Sequence, residues 1–335
     1  MKTLFRYKNS RTLILIALLF FIYSLIYINR SKGEPVEFQI SLFIDIRQQL
    51  SERIDLLLPS PQAQLLSGIL LGEKKDLPGD FKIALRDTST IHIVVVSGQN
   101  LTMLAGFLMY LAGIFHRKTA IIVCILAIIL YVLLTGAEIP VLRAALMSFL
   151  VFLGTILGRQ RDSLWILFIS AALLLLINPF WLHELSFQLS FLATFGIIVV
   201  SPAILKLLKQ FPLFLASDLS VTLGAQLMVI PIIAQSFHQI SLVSVIANVL
   251  VGWTTPFIMI LGTLMLMFSL VFMPIAQFIS LILNALLTYF VYIVYFFASL
   301  PFAWEYIGSY SLVFWLGYYL LMAGVVSFLY QKDRS

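Results

Sequence analysis

The chain reads as an all-α, polytopic integral membrane protein of about ten transmembrane helices, with one helix interrupted near Ser97–Asn100. Three observations carry that expectation. Hydrophobic residues make up 61% of the 335 and charged residues only 11%, where a soluble domain carries roughly 25% charge, and mean hydropathy is +1.04. Apolar stretches near the ~20 residues that cross a bilayer recur along the whole chain. Basic residues gather at alternate turns: Lys2 to Arg11, His116-Arg117-Lys118, Arg159-Gln160-Arg161, Lys206 to Lys209 and Lys332 to Arg334. The intervening turns around Glu138, Glu184, His238 and Glu305 hold no Lys or Arg. Positive charge stays inside, so both termini are expected in the cytoplasm, which demands an even number of crossings.

Residues 1–30 are expected to form an anchor helix with its span near 12–28. The long apolar core and the flank Asn29-Arg30-Ser31 argue against a cleaved signal peptide. Residues 31–90 are expected outside as an interfacial amphipathic segment. There Phe43, Ile46, Leu50, Ile54 and Leu57 recur at helical period, with Asp45, Gln48, Glu52, Arg53 and Asp55 on other faces. Short helices follow from Pro61 and over about 80–87. Residues 91–330 then hold spans near 92–115, 119–135, 139–157, 163–178, 185–206, 217–235, 242–270, 274–299 and 310–330. Thr254-Thr255-Pro256 predicts a kink in the long 242–270 segment.

The run His92-Ile93-Val94-Val95-Val96-Ser97-Gly98-Gln99-Asn100 puts four consecutive polar or glycine residues inside one of these spans. Lipid offers no partner to a freed backbone amide, so a break there requires surrounding protein or a water-filled path. A half-helix starting near Leu101, capped by Ser97 or Asn100, would point its N-terminal dipole at an incoming anion such as phosphate. The alternative is a tight helix crossing that Gly98 permits. Arg143 lies one turn inside its span after Pro140, with Glu138 near in sequence; it either serves a path or snorkels as an anchor. Glu184 and Gln188, four apart, share a helix face. Gln226, Gln235, Asn248, Gln277 and Asn284 add polar positions to the late spans, where such residues also simply join helices.

Catalysis finds little support. His92 and Ser97 are five apart and point to different helix faces, and Val95 stands where a nucleophile elbow has glycine. The four histidines form no ligand motif, the lone Cys124 excludes an intrachain disulfide or a multi-cysteine centre, and no P-loop is present. No cofactor is expected. A secondary transporter of a smaller anion would also use a broken helix, and an intramembrane hydrolase centred on Ser97 is the weaker alternative.

Several motifs occur in register: Leu65-Leu66-Ser67-Gly68-Ile69-Leu70-Leu71-Gly72, Thr90 to Asn100, Val141-Leu142-Arg143-Ala144-Ala145-Leu146-Met147, Gly158 to Asp162, Asn178-Pro179, Ser186 to Phe191 and Ile246-Ala247-Asn248-Val249-Leu250. Together they resemble the transmembrane competence domain of ComEC-type DNA uptake proteins, over about residues 58 to 300. The resemblance implies a multi-pass channel in the bacterial plasma membrane that passes single-stranded DNA into the cytoplasm during transformation. It assigns to the DNA path or its structural motif His92, Ser97, Gly98, Gln99, Asn100, Arg143, Glu184, Gln188 and Asn248. It also implies a cytoplasmic ATP-driven translocase and an external DNA receptor. The OB-like and metallo-β-lactamase-like domains of many relatives have no counterpart in this sequence, so a separate nuclease is expected. Asn100 stands where many relatives have histidine.

Overall fold

The computed structural model describes Tyr23, Tyr27 and residues 43–73, 77–94, 100–101, 106, 117–156, 158, 162–308 and 310–332. Ser97, Gly98 and Gln99 lie outside the described residues, as does most of the first span and of 92–115. In chain order the helices are α1 (Ile44–Leu57), α2 (Gln62–Leu71), α3 (Gly79–Asp87), α4 (Ile91–Val94), α5 (Arg117–Leu134), α6 (Ile139–Ile156), α7 (Ser163–Ile177), α8 (Leu185–Val199), α9 (Ser201–Leu207) and α10 (Leu213–Phe237). Strand β1 (Gln239–Ser241) precedes α11 (Ser244–Gly252), α12 (Thr255–Val271) and α13 (Met273–Ala298); β2 (Trp304–Tyr306) and α14 (Leu312–Lys332) close the chain.

Among the described residues the fold is helical apart from one antiparallel ribbon, in which Gln239 faces Tyr306 and Ser241 faces Trp304. Among the described residues three stretches, Leu215–Phe237, Met273–Ala298 and Val313–Gln331, are long and apolar enough to cross a membrane. Two bent pairs, α8–α9 at 44° and α11–α12 at 42°, raise the number to five. Among the described residues the expected ten crossings are therefore not reached by length and apolarity, because α5, α6 and α7 are shorter apolar helices. The kink expected at Thr254-Thr255-Pro256 is the α11–α12 bend, with Pro256 in the first turn of α12. The α8–α9 bend was not anticipated from the sequence.

The chain divides into two units. One comprises Met1–Glu37, Arg161–Phe237 and Gly308–Ser335. In it α8 and α10 cross so closely that a Cβ on Gly196 would lie 2.1 Å from Gly224 O. One turn on, Ser201 Oγ donates to Ser220 Oγ at 3.1 Å. Asp162 caps α7 by accepting from Leu164 N at 3.0 Å, and Asn178 Oδ1 accepts from Phe180 N at 3.1 Å, so both residues act as caps. Pro231 inside α10 has no N–H for Leu227 O, which lies one turn back. Tyr318 of α14 fills that role, its hydroxyl donating to Leu227 O at 2.9 Å, and Tyr319 reaches Met228 O at 3.0 Å. A carbonyl freed in the bilayer needs such a donor.

The other unit comprises Phe38–Gln160 and His238–Ile307. Helix α2 lies at its centre, with Leu65, Leu66 and Ile69 at 0% exposure, in one apolar core with residues of α1, α3, α12 and α13. Of the expected apolar face of α1, Ile54 is fully buried and Leu50 and Leu57 pack on that core, but Ile46 is exposed. Helix α1 instead reaches two neighbours through arginines. Arg47 Nε donates to Leu134 O at 2.8 Å and Arg53 Nη1 to Ser269 O at 2.6 Å, each at the C-terminal end of a helix, where a cation meets the negative end of the dipole. The bend at Thr254 draws its N–H to Val251 O, leaving Leu250 O to Tyr289, whose hydroxyl donates at 3.1 Å.

Candidate functional site around Asn100

Two of the motif stretches, residues 65–72 and the run that ends at Asn100, meet within this second unit. Gly68 of α2 faces Val94 of α4 so closely that a Cβ there would lie 2.7 Å from Val94 Cγ1. Beyond Val94 the chain returns at Asn100, 1% exposed, whose Nδ2 donates to Ile69 O at 3.1 Å. Ile69 is in the last turn of α2, whose carbonyls have no partner within the helix, so Asn100 acts as a cap across the sequence. A buried amide and carbonyl satisfy one another there.

Around Asn100 a small apolar cluster forms from Leu101, Ile128, Tyr131, Val141 and Ala144. It joins the segment after the break to α5 and α6. Tyr131, which the sequence reading did not single out, is 8% exposed, and its hydroxyl sits beside the Asn100 side chain, off good hydrogen-bond geometry. An aromatic one turn from a helix end in an apolar run gives little sequence signal. Arg143, between Val141 and Ala144, is buried at 9% exposure, with Nη1 3.9 Å from Met147 Sδ. Glu138 starts α6, its carbonyl accepting from Val141 N and Leu142 N.

The remaining candidates do not converge on this cluster. His92 is exposed, and its Nδ1 lies 2.8 Å from Ser89 O. That bond ties it to the turn before α4, where Thr88 and Thr90 are fully buried with their hydroxyls 2.8 Å apart. Asn248, on α11, has an enclosed Oδ1 with no hydrogen-bond partner. Glu184 and Gln188 belong to the first unit. There Gln188 Nε2 donates to Leu182 O at 2.9 Å and its backbone N–H to Glu184 O at 3.1 Å, so both residues shape the start of α8. Chemically the Asn100 region offers amide and guanidinium donors in an apolar setting.

Relatives place the chain. It is 32% identical over 221 residues to "ComE operon protein 3" of Bacillus subtilis (strain 168), covering 65% of this chain and 28% of that protein. It is 30% identical over 217 residues to "Uncharacterized protein YcaI" of Escherichia coli (strain K12), covering 61% of this chain and 28% of the relative. An uncharacterized protein of Aquifex aeolicus (strain VF5) shares 33% identity over 179 residues, 53% of this chain and 41% of its own. The match thus spans between about a quarter and two fifths of the length of these curated relatives. No solved structure matches it. Residues 69–332 match the family described as Competence protein, and with most of its length inside that match this chain belongs to the Competence protein family.

Proposed function

We propose that this chain forms the membrane path by which a single DNA strand enters the cytoplasm during natural transformation. The observation that carries the reading is the family match over residues 69–332. The meeting of the 65–72 and 92–101 motifs at Gly68, Val94 and Asn100 supports it by giving those motifs a shared location. On this reading the protein is a non-enzymatic pore of about ten crossings in the plasma membrane. Ser97 to Asn100 break a helix along the path, and a cytoplasmic ATP-driven translocase, an external receptor and a separate nuclease work beside it. Deleting the gene in a transformable strain that encodes it should abolish DNA uptake, and restoring this chain should return it. Uptake that survives the deletion would refute the proposal.

On the same reading both termini lie in the cytoplasm and residues 31–90 outside, which the alternating basic turns support. In a Cys124→Ser background, a cysteine at Ser60 should react with a membrane-impermeant maleimide in intact cells. Reaction only after permeabilisation would reverse the topology.

A further inference from the structure

Arg47 has a setting unlike those of its neighbours on the 31–90 stretch. Arg86 pairs with Asp87 Oδ1 at 3.3 Å, and Arg53 Nη1 is bound to Ser269 O at 2.6 Å. Arg47 spends one N–H on a carbonyl: its Nε donates to Leu134 O at 2.8 Å, at the end of α5. That bond lays the guanidinium over the α5–α6 turn. Gly136, directly beneath, has φ +79°, and a Cβ there would come within 3.0 Å of Nη2 and 3.4 Å of Nη1. Glycine therefore does two things at this position. It adopts the left-handed turn and it leaves room for the fork.

Arg47 Nη2 is enclosed without a hydrogen-bond partner, and among the described residues no carboxylate lies within 4 Å of this guanidinium. The residue as a whole is half-buried and Nη1 is not among its enclosed atoms, so Nη1 is the edge of the fork that a ligand can reach. A guanidinium fixed through Nε holds Nη1 in a set direction, which suits a charge-assisted hydrogen bond to a phosphate oxygen. Arg143 stands on α6, four residues after Ile139, about 6 Å of helical rise further on. Two arginines, one from α1 and one from α6, thus flank a single turn, and the positive N-terminal end of α6 adds to their field.

Resting on the DNA-uptake reading above, we infer that Arg47 is a phosphodiester-binding residue at the mouth of the path, engaged by the strand before Arg143. Glu138, at the start of α6, opposes tight retention, so the strand is held weakly and passed on, as conduction through several sites requires.

The test is binding of fluorescent oligo-dT to the full chain in lipid nanodiscs across a salt series. For single strands the affinity falls with salt at a slope of about 0.7 per neutralised phosphate on logarithmic axes. Arg47→Gln keeps an N–H for Leu134 O and loses the charge. It should shallow the slope by about 0.7 while leaving the unfolding midpoint unchanged. A wild-type slope in this variant overturns the inference and leaves Arg47 as a helix cap. The second measurement needs no variant: oligo-dT should slow modification of Arg47 by an arginine-specific glyoxal, read by mass spectrometry. Modification at the same rate with and without oligo-dT, or no modification in either case, also overturns it. If the wild-type chain binds no oligo-dT at all, the DNA reading itself fails.

Discussion

Gly196→Ala is expected to cost the protein about 3 kcal/mol or more, the upper end of what overpacking does. Two effects oppose each other at this site. Alanine improves helix propensity by about 1 kcal/mol over glycine, but its methyl would lie 2.1 Å from Gly224 O and 2.9 Å from Met228 Cγ. The obstacle is backbone, which cannot swing aside as a side-chain end does, so α8 and α10 must separate. The Ser201–Ser220 hydrogen bond on the same interface would go with them. A denaturing-detergent titration should show a lower unfolding midpoint and size-exclusion a smaller folded fraction. Gly317→Ala on α14, where a Cβ meets nothing within 4 Å, is the control. If both variants unfold alike, the crossing is looser than described.

Arg143→Ala is expected to reduce DNA import by about ten- to a hundredfold, since a hydrogen bond to a charged group contributes about 1.5 to 3 kcal/mol and each factor of ten is 1.4 kcal/mol. Arg143 is 9% exposed beside an apolar cluster, a costly placement for a charge inside a membrane protein that usually marks use. Folded protein should persist in the membrane at its normal level. Arg143→Lys should recover part of the import, because the charge survives while the planar fork is lost. Import measured with labelled DNA, normalised to protein in the membrane, reads both. Normal import in Arg143→Ala, or disappearance of the protein, makes the residue a structural anchor.

The helices from α5 onward were legible because apolar runs ended by Gly, Pro, Asn or charged turns mark their limits directly. The bend at Thr254 was legible for a local reason, the missing N–H of Pro256. The bend at Val200 carried the same kind of signal in Pro202, unread because the apolar run continues across it. Helix α2 was harder. Its neighbours are polar, which suggested a surface position, yet Leu65, Leu66 and Ile69 are at 0% exposure. The two three-residue strands are too short to show alternation. Among site residues, the importance of Asn100 was visible as a polar group in an apolar run. Its partner Ile69 O was not, because a contact 31 residues away leaves no trace in local pattern. Arg47 resembles any solvated arginine of an amphipathic helix until the turn beneath it is seen.

The chain path through the two units sets an order of assembly. The second unit is complete once Ile307 has been made, whereas the first draws its last piece from Gly308–Ser335. Until α14 leaves the ribosome and enters the bilayer, the proline-interrupted helix α10 lacks the tyrosine hydroxyl that answers Leu227 O. A nascent chain that has reached Ile307 therefore holds every segment of the second unit but lacks α14 of the first. A chain without α14 leaves Leu227 O of α10 without that donor, while the second unit keeps all of its segments.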